Sequence, residues 1–244
     1  MTFLFHKGCY DVRFAGTRAE LAACQRLRQQ CFYGREGLDQ DRFDTQCRHL
    51  MMTDRTGAVV ATARLFVMKS GSEIGQSAAA LSYDLAGLSE NAKPMLEVGR
   101  FCIAPHVLDT DVLRIAWGAL TRIVDAEDIA ILFGCTSFAG TDPTHYGNTF
   151  ARLQARHLGP AHQRPGQKAR EVIPFATCPQ SGSDPMPPLL RTYLAMGGWV
   201  GDHAVVDQDM KTLHVFTCLP VADVPCACAR ARALRALAED ARLT

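Results

Sequence analysis

A charged pair inside an apolar run sets the strongest limit on how this chain can fold. The run Met95–Ile103 is typical of a buried β-strand, yet it contains Glu97 and Arg100. Burying two charges is costly unless they pair or take part in chemistry. Residues three apart on a regular strand point to opposite faces, so Gly99 between them predicts a bulge that could bring both side chains to one side. An ordinary ion pair at a sheet edge remains the alternative for this segment.

Composition narrows the classes of protein to consider. The chain has 244 residues, of which 48% are hydrophobic, so it is long enough to bury a sizeable core. A net charge of +1 gives no general attraction to nucleic acid, and the aromatic residues are not interleaved with basic ones as a base-stacking surface requires. No apolar run approaches the ~20 residues of a membrane span, and no secretory leader is recognisable. We therefore expect a cytoplasmic protein that does not bind nucleic acid.

The cysteines do not indicate a disulfide scaffold. Ten of them are spread from Cys9 to Cys228 in a chain too large to need such crosslinks, so reduced thiols are expected. Cys226 and Cys228 lack a second Cys or His pair nearby. We predict no metal.

Periodicity predicts one continuous α/β domain over residues 1–244, with a helical tail from about residue 223. A capping box at Thr17 opens a helix that ends near Phe32. Residues 70–92 are predicted to form an excursion with one short helix. The other predicted strands lie at 49–53, 58–67, 95–103, 129–135 and 213–219, and the other helices at 113–124, 146–157, 187–198 and 226–243.

An ordered set of charged and aromatic residues resembles the acyl-homoserine-lactone synthase branch of the acetyltransferase-like superfamily. The set comprises Arg28, Phe32, Asp41, Asp44, Arg64, Glu97 and Arg100. Four further segments, at 99–105, 113–117, 132–138 and 187–193, look like the bacterial ornithine N-alpha-acyltransferases. The likeness extends through residues 193–207 and so covers nearly the whole chain.

This resemblance implies a fold and an activity. The implied fold is a mixed, mostly antiparallel sheet flanked by helices and splayed at its centre to admit a thioester. The implied reaction moves a 3-hydroxyacyl chain from acyl carrier protein to the alpha-amine of L-ornithine, giving lyso-ornithine lipid. A lactone-forming synthase that uses S-adenosylmethionine, and a non-catalytic module that binds acyl chains or carrier protein, remain as alternatives.

The stretch 103–111 indicates which kind of acyl donor the protein uses. Coenzyme A acetyltransferases of this superfamily usually have a glycine-rich turn here, where backbone N–H groups hold pyrophosphate. This stretch has no glycine, and its Asp109 and Asp111 would repel phosphate. We expect no bound cofactor, and the phosphopantetheine of a carrier protein as donor group.

The chemistry requires a proton acceptor, because only a neutral amine attacks a thioester. Glu97 is the first candidate, since its apolar neighbours could raise its pKa while Arg100 opposes that shift. The alternative is that Glu97 only holds Arg100. A bulge at Val98–Gly99 could free a backbone N–H for the oxyanion, and Arg100 could assist it or bind the carboxylate of ornithine.

The remaining residues of the resemblance are candidates for substrate binding: Arg28, Phe32, Asp41, Asp44 and Arg64. Asp41 and Asp44 could accept the side-chain ammonium of ornithine. Alternatively, both pair with Arg28 and Arg64 and fix the first helix over the sheet.

A basic stretch without acidic residues runs from Asn148 to Arg170. Its basic residues are Arg152, Arg156, Arg164, Lys168 and Arg170. Such a patch suits a strongly acidic carrier protein, and anionic phospholipid headgroups at a membrane surface fit as well. A solvated basic face is the third possibility.

Overall fold

The computed structural model describes residues 3–109, 111–179 and 186–223. Its α-helices are α1 (Arg18–Tyr33), α2 (Asp111–Ala126), α3 (Gly147–Arg156) and α4 (Pro188–Ala195). Its strands are β1 (Phe3–Lys7), β2 (Tyr10–Phe14), β3 (Arg48–Thr53), β4 (Val59–Met68), β5 (Tyr83–Asp84), β6 (Met95–Ile103), β7 (Ile131–Ala139), β8 (Gly166–Gln167), β9 (Val172–Pro174), β10 (Trp199–Asp207) and β11 (Thr212–Pro220). Short 3-10 helices span Gly71–Gln76, Ala79–Leu81, Ala86–Leu88, Pro143–Tyr146, Phe175–Thr177 and Val221–Asp223.

The described residues divide into two compact units. The first contains residues up to 67 together with 98–129, and the second contains 68–97 together with the described residues after 129. Strand β6 begins in the second unit and ends in the first. The prediction of one continuous domain stays a prediction, and the predicted tail helix at 226–243 lies outside the described residues.

The first unit has strands in the order β1-β2-β3-β4, followed by the 98–103 portion of β6. The first three neighbouring pairs are antiparallel. Helix α1 contacts β3, and α2 contacts β1. The capping box predicted for α1 is confirmed, because the Thr17 hydroxyl accepts from the Glu20 N–H at 3.2 Å while the Glu20 carboxylate accepts from the Thr17 N–H at 3.0 Å. This cap starts the helix that carries Arg28 and Phe32.

The second unit has an antiparallel sheet in the order β7-β11-β10-β9. Side chains of α3, α4 and the 3-10 helix at Phe175–Thr177 pack on it. Phe150 stacks on Phe175 with ring centroids 4.9 Å apart and meets Phe138 of β7 edge-on. Within the described ranges, no helix has both the length and the apolar character that crossing a membrane requires.

The prediction of a mixed, mostly antiparallel sheet flanked by helices is confirmed. The prediction of one short helix in 70–92 is wrong, because this segment forms three 3-10 helices and the short strand β5. A Cβ on Gly71 would lie 2.2 Å from the carbonyl oxygen of Leu88, so the segment folds closely back on itself. Short 3-10 turns suit such tight reversals, and the Gly, Ser and Ala content on which the prediction relied does not show where they occur.

Candidate functional site

Arg28 is the centre of an ion cluster in the first unit. It extends from α1 and its side chain is fully buried. Its Nε donates to Asp39 Oδ2 at 2.7 Å and its Nη1 donates to Asp44 Oδ1 at 2.9 Å. Its Nη2 donates to the carbonyl oxygen of Asp39 at 2.8 Å. A guanidinium with no solvent contact needs such partners, so α1 and the loop after it are fixed to each other at this point.

Two strand arginines complete the cluster. Arg64 of β4 donates through Nη1 to both carboxylate oxygens of Asp41 at 2.6 Å, and the same atom lies 3.3 Å from Asp44 Oδ1. Arg100 of β6 donates through Nε to Asp39 Oδ2 at 3.0 Å, and its Nη2 lies 3.8 Å from Asp41 Oδ2. Three guanidinium groups thus alternate with three carboxylates, and their charges cancel.

The cluster favours the structural alternative for Asp44. Asp44 is buried and bonded to Arg28, Arg64 and the amide of Gln25, the last at 2.9 Å. Arg28 and Arg64 already neutralise its carboxylate, which is therefore not available to a substrate ammonium. Asp41 also pairs with arginine, but its side chain keeps 27% exposure.

Exposure separates the core of the cluster from its accessible edge. The side chains of Arg28, Arg64, Asp39 and Asp44 are at most 6% exposed, whereas Arg100 keeps 23% and Asp41 keeps 27%. Arg100 and Asp41 are therefore the members of the cluster that a substrate can reach.

The arginines decide the charge state of the two aspartates. Burial alone would raise the pKa of Asp41, but the hydrogen bonds and charge of Arg64 outweigh it and the pKa lies below its usual range. The pKa of Asp44 is also below its usual range. Burial would raise it, but the hydrogen bonds and charge of Arg28 and the amide of Gln25 lower it. Both carboxylates are therefore ionised at neutral pH.

The bulge at Val98–Gly99 stays a prediction, and the unusual backbone conformation nearby lies at Arg100. Arg100 has a φ of 51°, in the left-handed region that a non-glycine residue seldom adopts. No positive φ occurs at Gly99, where an added Cβ would meet Arg64 Nε at an ordinary 3.9 Å. The guanidinium of Arg100 lies 5.7 Å from the ring centroid of Phe32, which packs on Leu27 and Cys102. The predicted residues Arg28, Phe32, Asp41, Asp44, Arg64 and Arg100 are thus brought together in one unit.

Glu97 belongs to the second unit and is held there by backbone donors. Its carboxylate accepts from the Ala78 N–H at 3.0 Å and from the Ala79 N–H at 2.7 Å, one on each oxygen. The residue is 6% exposed. Two backbone hydrogen bonds compensate part of the cost of burying a carboxylate. The backbone at the start of the 3-10 helix Ala79–Leu81 therefore sets the position of this candidate base.

The basic stretch divides by exposure. Arg156, Lys168 and Arg170 are exposed, whereas Arg152 and Arg164 are half-buried. The Lys168 Nζ donates to the carbonyl oxygen of Ala80 at 2.6 Å, which fixes it beside the 3-10 helix at Ala79–Leu81. Arg152 lies 3.7 Å from the sulfur of Met186. Arg156 and Arg170 are the members of the stretch best placed to meet a partner from solution.

Asp39 is the functional candidate that the sequence did not single out. It bridges Arg28 and Arg100, yet it lies in a loop with three other acidic residues and no periodicity distinguishes it. The available signal was the group of acidic residues in this loop, Glu36, Asp39, Asp41 and Asp44, which does not show which member lies at the centre of the ion cluster.

Comparisons with known proteins identify the family of the chain. Residues 22–118 match a family model described as an acetyltransferase (GNAT) domain. An L-ornithine N(alpha)-acyltransferase from Rhodobacter capsulatus is 34% identical over 227 residues, covering 84% of this chain and 88% of that protein. The protein of the same name from Brucella abortus is 29% identical, covering 88% of this chain and 85% of its own length.

A solved structure supports the fold. FeeM, an N-acyl amino acid synthase from uncultured soil microbes, superposes with a TM-score of 0.52 at 11% identity, covering 87% of this chain and 91% of that one. At this identity the likeness concerns the fold alone.

Proposed function

Because the chain belongs to the L-ornithine N(alpha)-acyltransferase family, we propose that it transfers a 3-hydroxyacyl chain from acyl carrier protein to the alpha-amine of L-ornithine. The product is a lyso-ornithine lipid. The observation that carries the proposal is the 34% identity over 88% of a protein so named. N-acyltransferase activity follows from the family, whereas the carrier donor and the 3-hydroxyl group are our proposal.

In the proposed reaction, the neutral alpha-amine attacks the carbonyl carbon of the thioester. A C–N bond forms, the C–S bond breaks, and the phosphopantetheine thiol leaves with a proton. Glu97 takes the proton that the ammonium must lose before the nitrogen can attack. The two backbone N–H groups fix the position of the Glu97 carboxylate for this task.

Arg100 is the proposed binding residue for the carboxylate of ornithine. It is the most exposed guanidinium of the ion cluster, and Phe32 and Asp39 fix its orientation. A planar fork of donors suits a carboxylate. Asp41 offers the neighbouring accessible negative charge for the side-chain ammonium, while Arg28, Arg64 and Asp44 hold the arrangement in place.

The N-terminus of α2 supports a carrier donor over coenzyme A. Asp109 Oδ1 accepts from the Asp111 N–H at 2.8 Å, and Asp109 Oδ2 accepts from the Tyr10 hydroxyl at 2.8 Å. A protein carboxylate therefore occupies a donor that would otherwise bind phosphate. Arg114 of α2 is paired with Asp111 at 2.7 Å.

The test compares donors with one acceptor. We expect purified protein to release free thiol and form the alpha-amide from 3-hydroxyacyl carrier protein and L-ornithine, with a much lower kcat/KM for the matching acyl-coenzyme A. Equal specificity constants for the two donors would refute the carrier proposal. Two acetylated ornithines test the assignment of the acceptor nitrogen. Ornithine acetylated on its alpha-amine should give no product, whereas ornithine acetylated on its side-chain amine should still react.

Two other outcomes would point to the alternatives. Lactone formation with S-adenosylmethionine would identify a homoserine-lactone-type synthase. Binding of acyl carrier protein with no thiol release above a control without enzyme would identify a binding module.

A further inference from the structure

Two histidines of the second unit lie against a buried tyrosine, in a group that we name the histidine–aromatic cluster. Its members are Tyr83, His203, His214 and Phe216. The ring centroid of Tyr83 lies 5.2 Å from that of His203 and 5.6 Å from those of His214 and Phe216. The ring of Tyr83 thus lies against both imidazoles.

The hydrogen bonds of the cluster leave one acceptor unused. The Tyr83 hydroxyl donates to the carbonyl oxygen of His214 at 2.8 Å, so its proton is committed. His203 Nδ1 lies 2.8 Å from Asp202 Oδ1. A carboxylate at that distance places the ring proton on Nδ1, which makes Nε2 a lone-pair acceptor.

This acceptor is fully buried. His203 has no solvent exposure, and its Nε2 has no hydrogen-bond partner among the described residues. Buried polar atoms are nearly always paired, so an unpaired one in a native fold indicates a bound partner such as a ligand group or a water.

A second unpaired polar atom lies on the same aromatic surface. Trp199 Nε1 is a buried donor with no partner among the described residues, and its ring centroid is 6.0 Å from that of Phe216. The acceptor His203 Nε2 requires a hydrogen-bond donor, and a hydroxyl is the simplest neutral group that supplies one.

We infer that the histidine–aromatic cluster binds the 3-hydroxyl of the acyl donor through His203 Nε2, and so selects hydroxylated acyl chains. This inference rests on the proposed function, which supplies the 3-hydroxyacyl substrate. Aromatic side chains contact the apolar chain, and the imidazole accepts the hydroxyl proton. The charged groups of ornithine fit less well, because the carboxylate of Asp202 is already bonded to the other nitrogen of the ring.

The first experiment uses the wild-type protein with three donors of equal chain length. The donors are carrier-protein thioesters of a 3-hydroxyacyl, a 3-methoxyacyl and an unsubstituted acyl chain, and the acceptor is L-ornithine. Leaving a buried acceptor unpaired should lower kcat/KM by about 5- to 150-fold for the last two donors, since neither can donate a proton to Nε2. Equal values for all three donors, with ornithine still acylated, would overturn the inference and leave the proposed function standing. No product from any donor would overturn both.

The second experiment changes the acceptor. His203→Phe should bring the ratio of kcat/KM for the hydroxylated and unsubstituted donors close to one, mainly by slowing the hydroxylated donor. His162→Phe changes an exposed histidine of the second unit that lies outside the cluster, and it should keep the wild-type ratio. An unchanged ratio in His203→Phe would contradict the inference.

A third variant covers the case in which His203→Phe does not fold. Asp202 is 46% exposed in its side chain, so Asp202→Ala perturbs the core little. It removes the carboxylate that places the proton on Nδ1, so the donor ratio should fall several-fold. A merely structural role for His203 would alter the stability of this variant and leave the donor ratio at its wild-type value.

Discussion

At the scale of single residues, Glu97 combines a proposed chemical role with a defined set of partners. Its two oxygens accept from the backbone N–H groups of Ala78 and Ala79. Glutamine in its place would turn one oxygen into a donor that faces another donor. A loss of activity in such a variant therefore has two sources, the missing base and the broken contact.

We predict that Glu97→Gln lowers kcat by roughly 10²- to 10⁴-fold and the free energy of unfolding by about 1–3 kcal/mol. Steady-state kinetics and urea unfolding measure the two effects. Turnover at the wild-type rate in the folded variant would end the assignment of Glu97 as the base.

Ala78→Pro is the matched control for the contact. It removes one of the two N–H donors and keeps the carboxylate. The backbone accepts proline here, because Ala78 has a φ of −67° and Ser77 before it is extended at φ −70° and ψ 156°. We expect a much smaller loss of kcat than in Glu97→Gln; equal losses would assign the effect to positioning.

The ion cluster makes a prediction about pH. The pKa values of Asp41 and Asp44 lie below their usual range in the folded protein. A carboxylate whose pKa is lower in the folded than in the unfolded protein stabilises the fold at pH values above its unfolded pKa of about 3.9. That stabilisation is lost as the pH falls through the folded pKa. The free energy of unfolding should therefore decrease below about pH 4.

Arg64→Met should reduce this acid dependence and also lower the free energy of unfolding at pH 7 by about 3–5 kcal/mol, because it leaves buried carboxylates without their partner. Urea titrations at neutral and acid pH measure both. Arg42→Met is the control, since Arg42 is exposed and stacks on Phe43. A variant at Arg64 with the wild-type acid dependence would show that the cluster does not set these pKa values.

At the scale of elements, helix α1 brings the cluster together. Its capping box closes the first turn, and Gly34 ends it in the left-handed conformation with a φ of 63°. Both signals are local, which explains why the bounds of this helix were predictable. The helix then delivers Arg28 and Phe32, one turn apart, toward the cluster.

We predict that Thr17→Ala lowers the free energy of unfolding by about 1 kcal/mol, because the Glu20 N–H loses its acceptor. Thr17→Ser keeps the hydroxyl and should stay close to wild type. Arg28 lies three turns further on, so kcat should not change while the protein is folded. Loss of activity without loss of stability would contradict a purely capping role.

At the scale of the whole molecule, the basic stretch is the proposed surface for acyl carrier protein. Its exposed members Arg156 and Arg170 carry the positive charge that an acidic partner would meet. Exposed charges act mainly on the rate of encounter and are screened beyond ~8 Å at physiological ionic strength. The effect should therefore depend on salt.

We predict that Arg156→Glu with Arg170→Glu raises the KM for carrier protein, leaves that for ornithine nearly unchanged, and flattens the response to salt. Kinetics at several salt concentrations measure this. Arg26→Glu with Arg55→Glu changes the net charge equally on exposed residues of the first unit and should have little effect. If the two double variants behave alike and anionic vesicles do not bind the wild type, the basic stretch is a solvated face. If the two double variants behave alike in the kinetics but anionic vesicles bind the wild type and not Arg156→Glu with Arg170→Glu, the basic stretch meets a membrane.

Local patterns in the sequence determined much of the fold. The hydrophobic patterns that predict α1, α2, β3, β4 and β6 depend only on residues close together in the sequence. The bounds of these elements were therefore predictable within a few positions. Strands β1, β2, β5, β8, β9 and β10 were missed. Strand β10 carries Gly201, Asp202 and His203 in its middle, which masks the pattern of a buried strand.

The sequence also identified most members of the candidate site but not their partners. Arg28 and Asp39 are 11 residues apart, and Arg100 reaches Asp39 across 61 residues. Which carboxylate meets which arginine depends on how α1, β4 and β6 pack, and the left-handed turn at Arg100 directs its side chain. The unpaired nitrogen of His203 is likewise invisible in the sequence. Hydrogen bonds and ion pairs act over a few ångströms in space, so only the tertiary structure decides which distant residues satisfy one another.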